Sequence, residues 1–407
     1  MLRVGYYLAA VPAGASGGVA PYAARIIENA LGQPGEIAYH LFVGPSQAGY
    51  ARELQARFPR RGLTWSVVRE LPQLTRAARP LELASLAGAG RLLRAPLAAL
   101  NHLEWQVARH RVDLIHSPVH VLGGIYWRTP TIITMHDVQE LHFPEFFGPA
   151  ERFTRAGLHW ATLQAATRVV VSFEHIKADL VRYFRLPPAK VQVCPLPISA
   201  AWNPPAGPAA DLRARHGLAP GFLLYPAQAW PHKNHIGLLR ALAHLRDTTG
   251  LTPTLVCTGK PTEHLPAIEA ELAALGLQGQ VRWLGLVPAA DLAGLYQACR
   301  CVVVPTLYEA GSFPVIEAIL LGAAVICSRV TSLPETIGAP EFTFDPRDTP
   351  AIAQMIGQIL TDDNFYRRNI ESGARRRAAF AETPRQSAEA FEALYRAVVA
   401  ERRARVL

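Results

Sequence analysis

Short apolar runs alternate with helical periodicity along the first half of the chain. The runs predict buried strands at residues 3–8, 38–43, 64–68, 114–116, 131–135, 168–172 and 191–194. Between them, apolar positions spaced three and four residues apart predict helices at residues 19–31, 96–110, 151–165 and 173–184. This alternation is typical of a parallel sheet with helices on its faces.

A proline-rich stretch interrupts the alternation, which then restarts. Five prolines fall within residues 195–208, and such a density breaks regular structure and predicts a linker. Beyond it, the pattern predicts strands at residues 222–225, 254–258, 281–284, 301–304 and 324–327. Helices are predicted at residues 235–247, 266–275, 291–298 and 314–321, with a final helix at about 388–402.

The sequence therefore predicts an α/β protein with two Rossmann-like, doubly wound domains that face each other across a cleft. We expect a first domain over residues 1–197, a second over residues 198–384, and a C-terminal helix over residues 385–407 that packs back toward the first domain. A length of 407 residues favours two domains over one core. Since such sheets bind ligands at the carboxyl ends of their strands, the site is expected in the cleft.

Composition limits the classes of protein that fit. Half of the residues are hydrophobic and 18% are charged, as in globular proteins. There is no run of about 20 apolar residues that could span a membrane, and the N-terminal residues do not resemble a signal peptide. The five cysteines lie mostly in apolar surroundings, without zinc-ligand spacing. We therefore expect a cytoplasmic protein with reduced thiols.

The net charge of +9 comes mainly from arginine. Aromatic residues do not alternate with these arginines as in nucleic-acid-binding modules, so nucleic acid is not an expected partner. The charge fits peripheral contact with an anionic membrane, such as the inner face of the plasma membrane, or a phosphorylated substrate. A solvated arginine-rich surface is the third alternative, and charge alone leaves all three open.

Two glutamates eight residues apart flank a small-residue turn after the predicted strand at 301–304. The segment runs from Glu309 through Gly311 and Ser312 to a helix predicted to start near Pro314, with Glu317 in its first turn. Small residues allow backbone N–H groups to approach an anion at a helix N-terminus. The alternative is structural, with Glu317 complementing the helix dipole.

A second candidate segment, residues 228–235, follows the first predicted strand of the second domain and enters a helix. Lys233 supplies a point charge for a phosphate, and Asn234 is a natural N-cap or first-turn residue. A surface Lys-Asn pair without function is the alternative.

Two candidates lie in the first domain. His136 ends the predicted strand at 131–135 and is expected to point into the cleft, where it can hydrogen-bond a sugar hydroxyl or a phosphate. Gly17 and Gly18 precede the first helix and leave backbone N–H groups bare for a phosphate, unless they serve only a tight turn. The G-x-G-x-x-G fingerprint and its ribose-binding carboxylate are missing, which disfavours a nicotinamide cofactor.

Together these motifs resemble those of the retaining glycosyltransferases of family 4, which have the GT-B fold. The resemblance covers essentially the whole chain and is most specific between Glu309 and Glu335. The glycine pair, the segment around His136, and residues 231–234 and 281–287 occur in the order that the family shows. The resemblance is specific because all of these motifs occur together and in the same order along the chain.

The resemblance implies transfer of a sugar from a nucleotide-diphospho-sugar, with retention at the anomeric carbon. Glu317 would bind the ribose, Glu309 would contact the donor sugar, and Lys233 would neutralise the diphosphate. His136 would contact the sugar, so that His136, Glu309 and Lys233 form the expected reacting centre. The remaining donor contacts would come from the backbone of Gly311, Ser312 and Phe313 at the sugar and diphosphate, Gly17 and Gly18 at the phosphates, and Leu286 and Val287 at the base.

Two donor-binding positions depart from the family's pattern. Many members carry Arg where this chain has Gln228 or His232, so Lys233 would stand alone on the diphosphate unless His232 protonates or an arginine of the first domain substitutes. The Trp-Pro-His-Lys-Asn-His segment resembles a subgroup associated with mannosyl transfer, which favours GDP-mannose, with a UDP-sugar as the alternative. A milder departure is Ala310, in a place often occupied by Gly.

The implied chemistry is a front-face displacement that needs no metal or other cofactor, acting on a glycan or lipid-linked acceptor in polysaccharide biosynthesis. One rival is a nucleotide-sugar 2-epimerase, disfavoured because the first domain offers no further acidic pair beyond Asp137 and Glu140. Another is a non-catalytic homologue that serves as a partner, disfavoured by the intact Glu309, Glu317 and Lys233. A dinucleotide oxidoreductase is disfavoured by the missing ribose carboxylate.

Overall fold

The chain divides into two compact units in a computed structural model. One unit comprises Met1–Pro197 with Thr383–Leu407, and the other comprises Ile198–Glu382. The structure describes residues 1–9, 11, 19–34, 36–59, 62–69, 101–122, 124, 126–198 and 214–404. Gly17, Gly18 and most of the proline-rich stretch lie outside the described residues.

The first unit is built on a parallel sheet of seven strands. The strands are β1 Arg3–Tyr7, β2 Ala38–Val43, β3 Thr64–Val67, β4 Leu114–Ser117, β5 Thr131–Thr134, β6 Arg168–Val171 and β7 Val191–Val193. They are ordered β3-β2-β1-β4-β5-β6-β7, and every adjacent pair is parallel. Every residue of β4 and β5 is buried, which explains why these strands lack polar alternation in the sequence.

Helices connect the strands of this sheet. They span Val19–Gly32, Ala48–Arg57, His102–Ala108, Gln139–His142, Pro149–Ala165 and Glu174–Phe184. The first helix buries Tyr22, Ile26 and Ile27 on one face, as its apolar spacing predicts. The helix predicted at residues 96–110 is described only as His102–Ala108, capped by the side chain of Asn101.

The C-terminal helix, Thr383–Ala404, is part of the first unit and is joined to its sheet by a buried polar network. The Tyr395 Oη lies 2.9 Å from the Tyr6 Oη and 2.8 Å from the His116 Nδ1. The other ring nitrogen of His116 lies 3.0 Å from the Thr134 Oγ1, so the network crosses β1, β4 and β5. Each buried polar group thereby has a partner, which avoids the cost of leaving it unpaired.

The second unit contains a parallel sheet of six strands. The strands are β8 Leu223–Pro226, β9 Leu255–Thr258, β10 Val281–Trp283, β11 Cys301–Val304, β12 Val325–Ser328 and β13 Thr343–Phe344. Their order is β10-β9-β8-β11-β12-β13, again with parallel neighbours. The helices span His235–Thr249, Leu265–Ala274, Ala289–Ala298, Phe313–Leu321, Leu333–Ile337, Thr349–Thr361 and Asp363–Phe380. The predicted fold class, two doubly wound α/β units, is confirmed.

Some elements have no clear signal in the sequence. Strand β13 has only two residues, too few for a period to be recognised. Helix Asp363–Phe380 buries only Phe365, Asn369 and Phe380, so its apolar period is weak. Asn369 nevertheless fixes this helix, because its side chain donates to the Val325 carbonyl and accepts from the Val325 N–H.

Two properties bear on the expected class of protein. All five cysteines are free thiols. No helix within the described ranges is both long and apolar enough to cross a bilayer.

The buried network at Tyr395 makes stability depend on pH. Burial lowers the pKa of His116 to about 3, so between pH 6.5 and 3 the unfolded chain binds a proton that the folded chain does not. Stability should therefore fall as the pH falls, and His116 should contribute up to about 1.4 kcal/mol per pH unit to that slope. Urea denaturation between pH 7 and pH 4 should give a shallower slope for His116→Gln.

Tyr395→Phe is the matched control for this prediction. It removes the same hydrogen bond but keeps the imidazole, so stability should drop at all pH values with an unchanged slope. Equal slopes for His116→Gln and the unsubstituted protein would contradict the assignment.

Candidate functional site

The second sheet has a switch point between β8 and β11. From β8 the chain proceeds to β9 and β10 on one side, whereas β11, β12 and β13 lie on the other. In open parallel sheets, the loops that diverge at such a point form a crevice at the carboxyl ends of the strands. The loop after β8 carries Lys233, and the loop after β11 carries Glu309.

Lys233 and Glu309 form a largely buried ion pair at this point. The Lys233 Nζ lies 2.7 Å from the Glu309 Oε1, and the two side chains are 19% and 7% exposed. A buried ion pair brings little net stability, because both charges lose hydration, but removing one partner leaves a costly lone charge. The structure thus holds an ammonium and a carboxylate side by side at the switch point.

The backbone that carries Lys233 is fixed by its neighbours. Pro231–Lys233 forms a single 3-10 turn, and the Tyr225 hydroxyl donates to the Lys233 carbonyl at 2.6 Å. Burial and the nearby Glu309 raise the pKa of Tyr225 well above its ordinary value, so this hydroxyl remains a donor.

Asn234 precedes its helix at the N-cap position, as predicted, but its side chain connects two other loops instead of capping the helix. Its backbone occupies the N-cap position in the left-handed region, φ 58°, without a side-chain cap hydrogen bond. Its Nδ2 instead donates to the carbonyls of Pro305 and Pro346, at 2.9 and 3.0 Å. A Cβ on Gly237 would lie 2.4 Å from the Asn234 Oδ1, so the close packing requires glycine there.

The loop that carries Glu309 is held from two sides. The Glu309 N–H donates to the Thr331 Oγ1 at 3.0 Å, and the Ser332 hydroxyl donates to the Glu309 carbonyl at 3.1 Å. On the other side, the Thr306 hydroxyl donates to the His232 carbonyl at 2.9 Å. The loops after β8, β11 and β12 are therefore one hydrogen-bonded assembly.

The N-terminus of a helix lies next to Glu309 in the same loop. Helix Phe313–Leu321 begins with Ser312 at the N-cap position and Pro314 in its first turn. Ser312 is fully buried, yet its hydroxyl has no hydrogen-bond partner within the described part of the chain. A buried hydroxyl without a partner is rare in folded proteins and is suited to a ligand bound at the helix N-terminus.

Glu317 lies one position further into its helix than predicted. The helix starts at Phe313 and has no acidic residue in its first turn, so the placement of Glu317 in that turn is wrong, and helix-dipole complementation is disfavoured. Instead, the Tyr296 hydroxyl donates to the Glu317 Oε2 at 2.7 Å. Burial, with Glu317 adding to it, raises the pKa of Tyr296 well above its ordinary value.

The two positions that depart from the family's pattern supply no positive charge. Burial, and secondarily the charge of Lys233, lowers the pKa of His232 to about 3, so His232 is neutral at pH 7. This disfavours the alternative in which His232 adds a second cation. The Gln228 Oε1 accepts from the Trp230 Nε1 at 2.8 Å.

Leu286 and Val287 lie in the loop after β10, at the same edge of the sheet. Gly285 has φ 66°, and its carbonyl accepts from the Gly259 N–H at 2.8 Å. A Cβ on Gly259 would lie 2.6 Å from the Ala227 carbonyl oxygen, so the loops after β8, β9 and β10 are in close contact. The side chain of Leu286 is 74% exposed.

In the first unit, His136 follows β5, as predicted. Its Nε2 lies 3.0 Å from the Pro118 carbonyl oxygen, and its ring meets the Tyr22 ring edge-on at 4.6 Å between centroids. Burial lowers the pKa of His136, so the neutral ring donates through Nε2 and leaves Nδ1 as an acceptor. Gly17 and Gly18, the other predicted site residues of this unit, lie outside the described residues.

Some residues at the site carried no recognisable motif. Tyr296 and Thr331 contact the two glutamates from separate elements, and nothing in their local sequence distinguishes them.

Glu140 of the first unit also has a buried partner, since the His159 Nδ1 lies 2.8 Å from its Oε1. Over the described ranges, no three His, Cys, Asp or Glu side chains converge as a metal site.

Comparison with known protein families gives two matches that together cover most of the chain. The model for glycosyl transferases group 1 matches residues 211–377, and the model for glycosyltransferase family 4 matches residues 47–202.

Characterised relatives agree with these matches. The chain is 31% identical to the O-antigen chain mannosyltransferase B of Escherichia coli over 64% of its own length and 68% of that protein. It is 29% identical to the serotype-specific mannosyltransferase WbdA of Escherichia coli over 60% of its length, but this match spans only 30% of WbdA.

Solved structures agree in fold. Anabaena HepE, solved in complex with UDP and glucose, covers 97% of this chain and 99% of its own at a TM-score of 0.68, with 17% identity. Sucrose-phosphate synthase from Thermosynechococcus elongatus covers 98% and 100% at a TM-score of 0.69, with 20% identity. The fold and the sequence matches define a GT-B glycosyltransferase. The chain belongs to glycosyltransferase family 4, which confirms the predicted family and enzyme class.

The Lys233–Glu309 pair can be tested by stability. Lys233→Met should lower the free energy of unfolding by about 3 kcal/mol, because it leaves the Glu309 carboxylate buried without a cation. The double variant Lys233→Met/Glu309→Gln should recover most of this loss, since it removes both charges. Thermal denaturation at pH 7 measures both effects.

The exposed Lys260 provides a matched control. Lys260→Met should leave the melting temperature within about 1 °C, as expected for an exposed side chain. A double variant no more stable than Lys233→Met would contradict a buried charge pair.

Proposed function

We propose that the protein transfers a hexose, with mannose favoured, from a nucleotide-diphospho-sugar to a glycan or lipid-linked acceptor, with retention of anomeric configuration. The observation that carries the proposal is the buried Lys233–Glu309 pair beside the helix N-terminus at Ser312. A cation and an anion-binding helix end suit a diphosphate, and an adjacent carboxylate suits sugar hydroxyls.

Each side chain has a specific role in this proposal. The Lys233 ammonium and the backbone N–H groups at Ser312 and Phe313 bind the diphosphate, which competes with Glu309 for the ammonium. Donor binding therefore frees Glu309 to accept hydrogen bonds from the sugar hydroxyls. Glu317, oriented by Tyr296, binds the ribose hydroxyls.

The proposed reaction is a front-face displacement. The bond between the anomeric carbon and the phosphate oxygen breaks as the acceptor oxygen bonds to the same face, and the acceptor's proton passes to the departing phosphate oxygen. Lys233 stabilises the charge that develops on the diphosphate. The neutral His136, with Nδ1 as acceptor, binds a hydroxyl of the sugar or the acceptor.

Two observations support mannose from GDP-mannose. The relatives at 31% and 29% identity are named as mannosyltransferases, and the O-antigen name of the first fits polysaccharide biosynthesis. The Trp-Pro-His-Lys-Asn-His segment of residues 230–235 also resembles that subgroup. A UDP-sugar is the alternative donor, and the nucleotide-binding experiment below must distinguish it from GDP-mannose.

The same proposal extends to the setting of the reaction. We propose that the enzyme acts in the cytoplasm, in peripheral contact with the inner face of the plasma membrane, where lipid-linked acceptors are available. The net charge of +9 supports this arrangement, because anionic lipids attract basic proteins.

Nucleotide binding is the first test. A thermal-shift panel of UDP, GDP and ADP should show stabilisation by one nucleotide, with GDP expected, worth about 2.7 kcal/mol at a concentration 100-fold above Kd. Glu317→Ala should abolish most of the shift, because it removes the ribose contact. Mass analysis of the matching sugar nucleotide should then detect the free sugar by slow hydrolysis.

Glu341→Ala, at an exposed position of the same unit, is the control and should retain the full shift. The proposal fails if no nucleotide raises the melting temperature, or if the sugar nucleotide is converted to an epimer instead of being cleaved.

Metal dependence is a separate test. In the proposed displacement, Lys233 and the helix N-terminus stabilise the negative charge that develops on the diphosphate. Turnover should therefore be unchanged in EDTA and should not rise with added Mg²⁺ or Mn²⁺. Loss of turnover in EDTA, restored by a divalent cation, would contradict the proposed mechanism.

A further inference from the structure

One helix of the first unit has a buried side and a separate exposed apolar side. Helix Pro149–Ala165 buries His159, Ala161, Thr162 and Leu163 against its own unit. Another side of the same helix exposes residues spaced by four, three and four positions, which we call the exposed stripe: Pro149, Phe153, Ala156 and Trp160.

The exposed stripe is a continuous surface. Residues at this spacing share one side of an α-helix, and the stripe runs about 17 Å along the axis. Phe153 is 84% exposed, and Trp160 is 36% exposed. Single exposed apolar residues are ordinary, but two large aromatic side chains aligned on one helix face indicate a surface that is covered in use.

We infer that the exposed stripe docks on an anionic lipid surface, with the Phe153 and Trp160 side chains inserted among the headgroups. Phe and Trp on one face of a helix, flanked by basic residues, are typical of helices that lie in the membrane interface. Aromatic side chains are also favoured at that depth.

Size argues against a second copy of the chain as the occupant. Two aromatic side chains bury about 150–250 Å² each, and the stripe adds only Pro149 and Ala156. A stable protein interface needs about 800 Å² from each partner. The stripe alone is too small for a dimer, whereas membrane insertion requires no complementary protein surface.

Charge favours an anionic surface. Arg152 borders the stripe, is exposed, and has no acidic partner among the residues that the structure describes. The negative charge of Glu151 is compensated within the helix, because the Arg155 Nε lies 3.0 Å from the Glu151 Oε1. The chain as a whole carries +9, which adds long-range attraction to anionic lipid.

The position of the helix connects the stripe to the candidate site. Helix Pro149–Ala165 leads from the carboxyl end of β5 toward the amino end of β6, so it begins on the side of the sheet where His136 lies. Docking on lipid through this helix would bring that edge close to the headgroups. This consequence for a lipid-linked acceptor rests on the proposed sugar transfer, whereas lipid binding by the stripe is independent of that transfer and specifies the surface for the membrane contact proposed above.

Co-sedimentation of the full chain with vesicles tests the inference. Vesicles of phosphatidylcholine with about 30% phosphatidylglycerol should bind the protein, and pure phosphatidylcholine should bind it several-fold more weakly. The double variant Phe153→Ser/Trp160→Ser should bind the anionic vesicles at least about tenfold more weakly, because it removes both inserted side chains. Trp105→Ser, at a 59% exposed tryptophan of helix His102–Ala108, is the matched control and should bind normally.

Fluorescence gives an independent readout. Trp160→Phe should keep most of the vesicle binding but lose the quenching by brominated lipid that the unsubstituted protein shows. Quenching that persists in this variant would overturn the insertion of Trp160.

Three further outcomes would overturn the inference. These are equal binding of the double variant, equal binding to neutral vesicles, and a concentration-dependent dimer that the double variant loses in sedimentation velocity. The double variant should keep the far-UV circular dichroism spectrum and the nucleotide shift of the unsubstituted protein, which excludes misfolding. If no nucleotide binds but vesicle binding depends on the stripe, the proposed function fails and this inference stands.

Discussion

The ion pair between Lys233 and Glu309 is the interaction on which the geometry of the site depends. Burying either charge alone would carry a large cost in free energy. The loops after β8 and β11 must therefore keep Lys233 and Glu309 in contact. The side chains of Asn234, Thr306 and Ser332 keep that register by satisfying backbone groups of neighbouring loops. The two charged groups are therefore positioned by hydrogen bonds between the loops that carry them.

The ion pair also suggests how both charges are used when a donor binds. In the proposed reaction the diphosphate replaces Glu309 as the partner of Lys233, so the ammonium exchanges one anion for another. The carboxylate released in this exchange acquires sugar hydroxyls as donors. The buried Ser312 hydroxyl and the helix N-terminus provide further groups for the same ligand. In the proposed reaction, donor binding thus replaces one set of charge-assisted contacts with another.

Prediction from the sequence was most accurate for strands that are buried on both faces. Strands β4 and β11 are buried throughout, so their apolar runs were recognised within a residue or two. Helix Asp363–Phe380 was not recognised, because it is attached through Asn369 and few apolar residues. Glu317 was wrongly placed in the first helical turn, since Pro314 was taken as the start of a helix that begins one residue earlier, at Phe313.

The sequence by itself determined the α/β class and identified the chemistry-bearing residues, because strand ends followed by Gly, Lys, His or Glu form a local pattern. Only the tertiary structure decided which of these residues meet. Lys233 and Glu309 are 76 positions apart, and their contact follows from the adjacency of β8 and β11, which no local period encodes. The partners Tyr296 and Thr331, the neutral state of His232, and the exposed side of helix Pro149–Ala165 likewise depend on burial. Burial is a property of the packed chain rather than of any segment in it.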